Sequence, residues 1–376
     1  MNTHLSPLNR EGMLMGQIPA RYHQMTETEL YQRADAARKA LGNQLVILAH
    51  HYVQDSVFQL NDVAGDSLFL AREAAKTPAK YIVFCGVHFM AESADIITTD
   101  DKITMLPQLS AGCSMADMAD IDSVENCWHQ LVDACGEDAF IPITYINSPA
   151  TLKAFCGKHG GTVCTSSNSS KILGWALEQD KKVLFFPDQR LGRNTANDLS
   201  VPSDKIKVWE RTRPDGTLTA NELRQSQVVL WSGYCAVHDR FTVSQIEQAR
   251  QKRPDVQVIV HPECREEVVN AADYSGSTDH ILRVIGEAKP GTNWAVGTEF
   301  NMVKRLANDL LVKEGKKIEN LNPSASICST MYSIYLSNVV WVLENLLEEK
   351  PVNTVSVAPD IKEQARIALD RMLDLS

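Results

Sequence analysis

The chain has 376 residues, enough at about 150 residues per domain for two or three domains with sizeable cores. Lys+Arg 37 against Asp+Glu 47 gives a net charge of −10, with 44% hydrophobic and 22% charged residues. That is an ordinary globular composition, and it argues against a nucleic-acid partner, which needs a basic surface to release counterions from the phosphates. A local basic pocket for a small anion is still compatible with it. No run of 18 apolar residues occurs, and the apolar stretch at 13–20 is broken by Gly16, Gln17 and Pro19. The sequence therefore predicts neither a membrane span nor a signal peptide, and a cytoplasmic location. The nine cysteines, at 85, 113, 127, 135, 156, 164, 235, 264 and 328, are odd in number and scattered. In a reducing compartment they read as free thiols rather than as a disulfide framework.

In chain order, short apolar runs recur: LVILAH (45–50), YIVFCG (81–86), ITML (103–106), FIPITY (140–145), GTVCTS (161–166), KVLFFP (182–187), VVLWSG (228–233), VQVIVH (256–261), ADYSGS (272–277) and NWAVGT (293–298). Each ends in small or polar residues and is followed by a helix-like stretch, which predicts parallel βα units with sheets buried on both faces. The runs fall into three groups, opening at His50, Tyr145 and His261 and closing at Cys113, Cys235 and Cys328. The quasi-period predicts three related units of about 100 residues. Residues 197–227 read as a polar excursion in the middle unit. Residues 331–347 read as one amphipathic helix packing Ile334, Tyr335, Val339, Trp341, Val342 and Leu346 against the body. Residues 2–24 are polar and irregular and match no motif.

Ligands of parallel α/β units bind beyond the carboxyl ends of the strands. Those ends read AHHYVQD (49–55), GVHFMAES (86–93), TYINSPA (144–150), CTSSNSS (164–170), FPDQRLGR (186–193), SGYCAVHD (232–239), HPECRE (261–266), SGSTDH (275–280) and GTEFN (297–301). This inventory suits a polar pocket for a small multiply charged anion. Cys113, Cys235 and Cys328 each stand before a helical segment, one per unit. Three thiolates converging from three loops can hold three corners of a [4Fe–4S] cluster and leave one iron open; zinc, or three unrelated buried thiols, fit the spacing as well. The other six cysteines read as inert core or surface thiols. His261 and Glu263 can serve as acid and base, or Pro262 and Glu263 can simply start a helix. His50 and Tyr52 lie on one side of an extended segment, with His51 opposite. Asp66-Ser67, Thr165-Ser166-Ser167 and Ser277-Thr278 open helices, where they either hold an anion or act as ordinary caps.

The set AHHY, DSL, GVHFMAESA, GCSMADM, YIN, TSSN, PDQRLGR, GYCAVHD, HPE, GST and CSTM, in that order from about residue 45 to 345, resembles the quinolinate synthase family of NAD (pyridine nucleotide) biosynthesis. The resemblance covers roughly four fifths of the chain. It implies an α/β fold of three related αβα, Rossmann-like domains with parallel sheets around a pseudo-threefold axis and a central active-site cavity. It also implies a [4Fe–4S] cluster on Cys113, Cys235 and Cys328 with one open iron site acting as Lewis acid. The implied reaction is a transferase-type condensation and dehydration of iminosuccinate with dihydroxyacetone phosphate to quinolinate, phosphate and water, with a functional link to an L-aspartate oxidase. Carried over motif by motif, the substrate-binding residues are His50, Ser67, Tyr145, Asn147, Ser166, His261, Glu263 and Thr278. The catalytic residues are Glu263, His261 and Tyr52, with Glu263 as the principal proton-transfer group. The expected domains are a 1–40 extension, three αβα domains at 41–125, 126–240 and 241–330, and C-terminal helices at 331–376. Some family members carry two further cysteines shortly before the third ligand; here Ser324, Ala325, Ser326 and Ile327 stand there, so no regulatory disulfide is expected. An aconitase-like hydro-lyase would share the cluster but need only one substrate. An iron–sulfur sensor or carrier would not need the HPE, YIN and TSS pocket.

Overall fold

The computed structural model describes residues 18–376. The chain divides into two compact units, one of residues up to 113 with 329–356, the other of residues 114–328 with 357–376. The first unit contains one sheet: β1 (Leu45–His50), β2 (Val63–Gly65), β3 (Tyr81–Cys85) and β4 (Ile103–Met105). The second contains two: β5 (Phe140–Tyr145), β6 (Thr162–Cys164), β7 (Lys182–Phe186), β8 (Ile206–Trp209) and β9 (Val228–Trp231), then β10 (Gln257–Val260), β11 (Tyr274–Ser275), β12 (Asn293–Gly297) and β13 (Lys317–Asn320). β14 (Thr354–Val355) returns to the first sheet and pairs antiparallel with β4. Every other pairing is parallel.

The strand orders are β14-β4-β3-β1-β2, β6-β5-β7-β9-β8 and β11-β10-β12-β13. With β14 and β8 set aside, each sheet has one order, in which its first strand lies between its second and third and its fourth lies beyond the third. The register repeats too. Ala49 pairs Cys85, Thr144 pairs Phe186 and Val260 pairs Gly297, each the last first-to-third pair of its sheet. The next residues, His50, Tyr145 and His261, are therefore topological equivalents. So are Tyr52, Asn147 and Glu263 two positions further, and Ser67, Ser166 and Thr278 just past the second strands. Cys113, Cys235 and Cys328 each lie in the loop after a fourth strand.

The apolar runs form strands because they are covered on both faces. Ile47, Leu48, Val83, Ile143, Val183, Leu184, Val229, Leu230, Val258 and Ile259 are all buried. The sequence missed four strands: β2, β8, β13 and β14. The expected polar excursion at 197–227 contains β8, an edge strand whose four residues give too short an apolar signal to read. The single helix expected at 331–347 is two, Ser329–Tyr332 and Leu336–Leu347. Ile334, Val339, Val342 and Leu346 are buried as expected, but Tyr335 is 48% exposed because it stands at the N-cap of the second helix instead of on its packed face.

The start expected to be irregular lies partly outside the described residues. Its described part contains the short helix Ala20–His23, and it is followed by the helix Glu27–Leu41, begun by a Thr26–Glu29 capping box. Its neighbour in space is the helix Leu336–Leu347, to which Tyr22 donates through its hydroxyl at Glu344 (2.6 Å) and Arg33 pairs with the same carboxylate (2.6 Å).

In the second unit the final helix, Pro359–Asp374, lies against the helix Ala150–Lys158. Gly157 makes this approach possible, since a Cβ there would stand 1.9 Å from the Gln364 carbonyl oxygen. That oxygen is helix backbone and has no room to yield. Gly157→Ala is expected to lower stability by about 1–3 kcal/mol, the usual range for overpacking a tight contact. Urea unfolding of the variant beside the parent measures it, and an unchanged midpoint and slope would remove the steric argument.

Candidate active site

Parallel pairing places each residue expected to act in the site at the carboxyl edge of its sheet, where the strand ends leave backbone groups and side chains turned to the loops. In the first unit, buried His50 ends β1. Its Nδ1 accepts the Tyr52 backbone N–H (3.2 Å), and the two rings meet edge to face at 4.5 Å, while His51 lies beside the Phe58 ring at 5.9 Å. His50 and Tyr52 meet as the spacing suggested, but across a turn rather than along an extended segment, since β1 ends at His50 and the Val53 N–H donates to the His50 carbonyl (3.2 Å). Asp66 caps the helix Ser67–Lys76 by accepting the Phe69 N–H (2.9 Å), which leaves Ser67 as its first residue.

The second unit gathers Tyr145, Ser166, His261 and Glu263. Tyr145 donates its hydroxyl to the Glu263 carboxylate and also bonds Ser166. His261 Nδ1 stands 3.9 Å from Glu263 Oε2 and accepts the Glu263 backbone N–H at 3.3 Å. Asn147 Oδ1 is enclosed yet accepts no hydrogen bond among the described residues, so it is an acceptor awaiting a donor. Its neighbour Ser148 is held by Thr144 and by the buried Lys153 ammonium, which fix the YIN turn. Ser277 caps the helix Thr278–Glu287 through the His280 N–H, and Thr278 is buried as that helix's first residue.

Four further residues, not assigned from the sequence, are buried at the same carboxyl edges. His238, in the 3₁₀ turn after Cys235, bonds Glu263 Oε2 through Nδ1 at 2.6 Å and the Thr298 hydroxyl through Nε2 at 3.1 Å, and stacks on His261 at 4.3 Å. Its only sequence signal was its place in the quoted GYCAVHD string. Asp188, after β7, is fully buried; its Oδ1 caps a helix at Leu191 (2.8 Å), and its Oδ2 finds no partner among the described residues. Glu263 is therefore not the only carboxyl group present. Thr298 and Glu299 follow β12, and Glu299 accepts the N–H groups of Asn301, Met302 and Cys328. The Cys328 loop is thereby tied to its own sheet.

Burial and charge set different protonation states on these groups. Burial first, then Glu263, push the Asp188 carboxyl well above its ordinary range. Burial acts in the same direction on Glu263, but His238 and His261 beside it and hydrogen bonds from His238 and Tyr145 outweigh it and hold the group below the usual carboxylate range. Two neighbouring carboxyl groups are thus shifted in opposite directions, the arrangement by which a site obtains an acid and a base at one pH. Burial and then His238 lower His261 to about 3, so it is a neutral imidazole. Burial pushes the Glu299 carboxyl up to about 8.

The thiols sort by environment. Cys85, Cys127, Cys156, Cys164 and Cys264 are fully buried, and burial raises each. Cys156, read from the sequence as part of a polar segment, lies inside the helix Ala150–Lys158. Cys113, Cys235 and Cys328 are half-buried, each shortly before a helical turn: Ala116–Met118, His238–Arg240 and Ser329–Tyr332. Gly233 lets the Cys235 loop pass close to β7, since a Cβ there would lie 2.3 Å from the Pro187 carbonyl oxygen. Half-buried loop thiols are the donor chemistry that an iron–sulfur cluster takes. The Sγ of Cys235, a ring nitrogen of His238 and a Glu263 oxygen also lie within 4.8 Å of one another.

Parallel α/β sheets with a buried acid–base constellation at their carboxyl edges define an enzyme. The family model described as Quinolinate synthetase A protein matches residues 33–374. Proteins named quinolinate synthase from Streptomyces coelicolor and Corynebacterium glutamicum are each 50% identical to the chain, over 93% of it and 89% of the first relative, and over 95% of it and 90% of the second. One from Bacillus cereus is 47% identical over 95% of the chain and 96% of its own length. The chain belongs to the quinolinate synthase family and is an enzyme of that type. Among the described residues, no helix is long and apolar enough to cross a membrane.

In cluster-free protein, a thiol reagent under native conditions is expected to label Cys113, Cys235, Cys328 and the half-buried Cys135, and to leave the five buried thiols unmodified until the chain unfolds. Peptide mass mapping before and after denaturation reads this. Rapid labelling of Cys85 or Cys164 would contradict the burial described.

Proposed function

We propose that this chain forms quinolinate from iminosuccinate and dihydroxyacetone phosphate, with release of phosphate and water, using a [4Fe–4S] cluster held by Cys113, Cys235 and Cys328. Family membership supports the reaction, and the contrast between three half-buried loop thiols and five buried ones supports the ligand set. We read the chain as three αβα domains at 41–125, 126–240 and 241–330, supported by the thrice-repeated strand order. The cytoplasm is the location this reading favours, since all nine cysteines are free thiols. An L-aspartate oxidase is the partner enzyme whose chemistry would supply the imine. When bound, the cluster supplies a Lewis-acidic iron that favours loss of a hydroxyl group.

The observation that carries the reading is the ionised Glu263 carboxylate, fixed by Tyr145 and His238 inside a buried polar pocket. Glu263 takes and returns protons at carbons acidified by a neighbouring carbonyl or imine. Neutral His261 donates or accepts hydrogen bonds without adding charge. Tyr52 and His50 bind from the first unit's sheet edge as polar ligands to substrate. Asn147 Oδ1 accepts a substrate N–H or O–H, Ser67 and Thr278 offer hydroxyl and helix-start N–H groups to carboxylate and phosphate, and Ser166, expected to open a helix, offers its hydroxyl from the turn before the helix Ser169–Leu177.

Anaerobic isolation is expected to give a brown protein with about four irons and four sulfides per chain. Ser at position 113, 235 or 328 should remove both colour and activity. Glu263→Gln keeps size and hydrogen bonding but removes basicity. It should keep the cluster and lose roughly 10²- to 10⁴-fold in quinolinate formation, the usual contribution of a general base. A colourless protein that resists reconstitution, or one with stoichiometric zinc, overturns the cluster. A Gln variant working at the parent rate moves the base elsewhere.

A further inference from the structure

We infer that His238 is a positioning residue for Glu263: its imidazole, held by Thr298 on one side and by the His261 ring on its face, fixes the carboxylate in the direction from which it takes protons. This rests on the function proposed above.

The geometry is that of a carboxylate oriented by a second group. His238 Nδ1 lies 2.6 Å from Glu263 Oε2, and His238 and Glu263 are each almost completely buried. An ionised carboxylate only accepts hydrogen bonds, so the short contact requires the proton on Nδ1. The other ring nitrogen, Nε2, lies 3.1 Å from the Thr298 hydroxyl, so both nitrogens of the ring are engaged. Thr298 therefore anchors the ring from the side opposite Glu263. The stacking partner, His261, lies 4.3 Å away with the planes 15° apart, which removes ring rotation as a freedom. Tyr145 supplies the second donor to the carboxylate. The four groups come from the ends of β5, β10 and β12 and from the loop after β9, so Glu263 is held from outside its own loop. The equivalent position three residues past Cys113 is Ala116, and that past Cys328 is Met331. The imidazole thus occurs in the repeat that faces Glu263 and in neither of the others.

The test uses the cluster-loaded chain carrying His238→Ala, His238→Asn, Glu263→Gln, or both His238→Ala and Glu263→Gln. Asn places its amide nitrogen where Nδ1 stood, so it can donate to Oε2 without an imidazole. The Ala variant should keep the parent's iron content and visible absorbance, hold KM within about twofold and lose about 10- to 100-fold in kcat, because only the base has been loosened. The Asn variant should recover most of that loss. The double variant should be no slower than Glu263→Gln alone, since a positioning residue has nothing to add once the base is gone. A double variant slower by the product of the two single effects, an Asn variant no better than Ala, or loss of the cluster in either His238 variant overturns the inference. A readout independent of turnover separates it from the function itself. The isotope-labelled, cluster-free chain should show a strongly downfield imidazole N–H resonance that disappears in His238→Ala and moves upfield in Glu263→Gln. If the parent makes no quinolinate yet shows that resonance, the proposed reaction has failed and the positioning stands; without the resonance, the positioning fails whatever the reaction.

Discussion

Parallel strand pairing is the constraint from which the site follows. A parallel ladder brings all strands of a sheet to an end on one side, so every loop that leaves a carboxyl end starts from the same edge. In each of the three sheets that edge receives a first-strand pair of residues two apart, a helix start after the second strand, and a cysteine loop after the fourth. No side chain has to reach across a sheet. The cost falls on the loops, which carry polar groups in buried surroundings and must satisfy them. Asp66, Asp188, Ser277 and Glu299 do so by capping helices, while Lys153 and Asn168 hold turns.

The repeat makes the chemical differences between the sheets easy to see. Two positions beyond the end of the first strand stand a phenol at Tyr52, an amide at Asn147 and a carboxylate at Glu263. A scaffold that offers three like positions has been filled with three unlike groups, only one of them able to ionise at neutral pH. The surroundings of that one differ accordingly. Its loop is joined to the Cys235 turn through His238, to β5 through Tyr145 and to the helix Gln189–Asp198 through Asn194, which donates to the Pro262 and Cys264 carbonyls at 2.8 Å each. Asp239 adds a further tie by accepting from both Arg190 and Arg265.

Much of this was legible in the sequence, for reasons that also explain what was not. Nine of the ten apolar runs marked largely buried strands, because a strand covered on both faces leaves no polar residue to break the run, and the tenth marked β11, a two-residue edge strand with Tyr274 exposed. The strands that escaped notice are short or lie at an edge. KIEN of β13 alternates charged with buried residues, and β2, β8 and β14 are two to four residues long. Tyr145, Ser166, His261 and Glu263 could be placed in one pocket because strand-end motifs quoted them together. His238 and Asp188 could not be singled out. Each lay inside a quoted motif, but what distinguishes them is burial beside Glu263, and burial of a polar side chain depends on neighbours from other loops. The break in the helix expected at 331–347 escaped because a 3.6-residue pattern continues through Tyr335 although that residue is the N-cap of the second helix, its backbone N–H donating to Asn338 Oδ1 (3.0 Å).

The fourth strand of each sheet meets the outside in a different way. β4 is covered by the antiparallel β14, and β9 by β8, which the middle repeat inserts ahead of it. β13 has no such cover and is a sheet edge. An uncovered strand edge offers a row of backbone donors and acceptors to any other extended chain, and charged side chains are one way to discourage that pairing. Lys317 and Glu319 are both exposed on β13, and Glu319 pairs with Arg253. Two repeats have closed this edge with an extra strand. The third guards it with charge, and so stays out of unwanted sheet-to-sheet association using only the four residues of the strand itself.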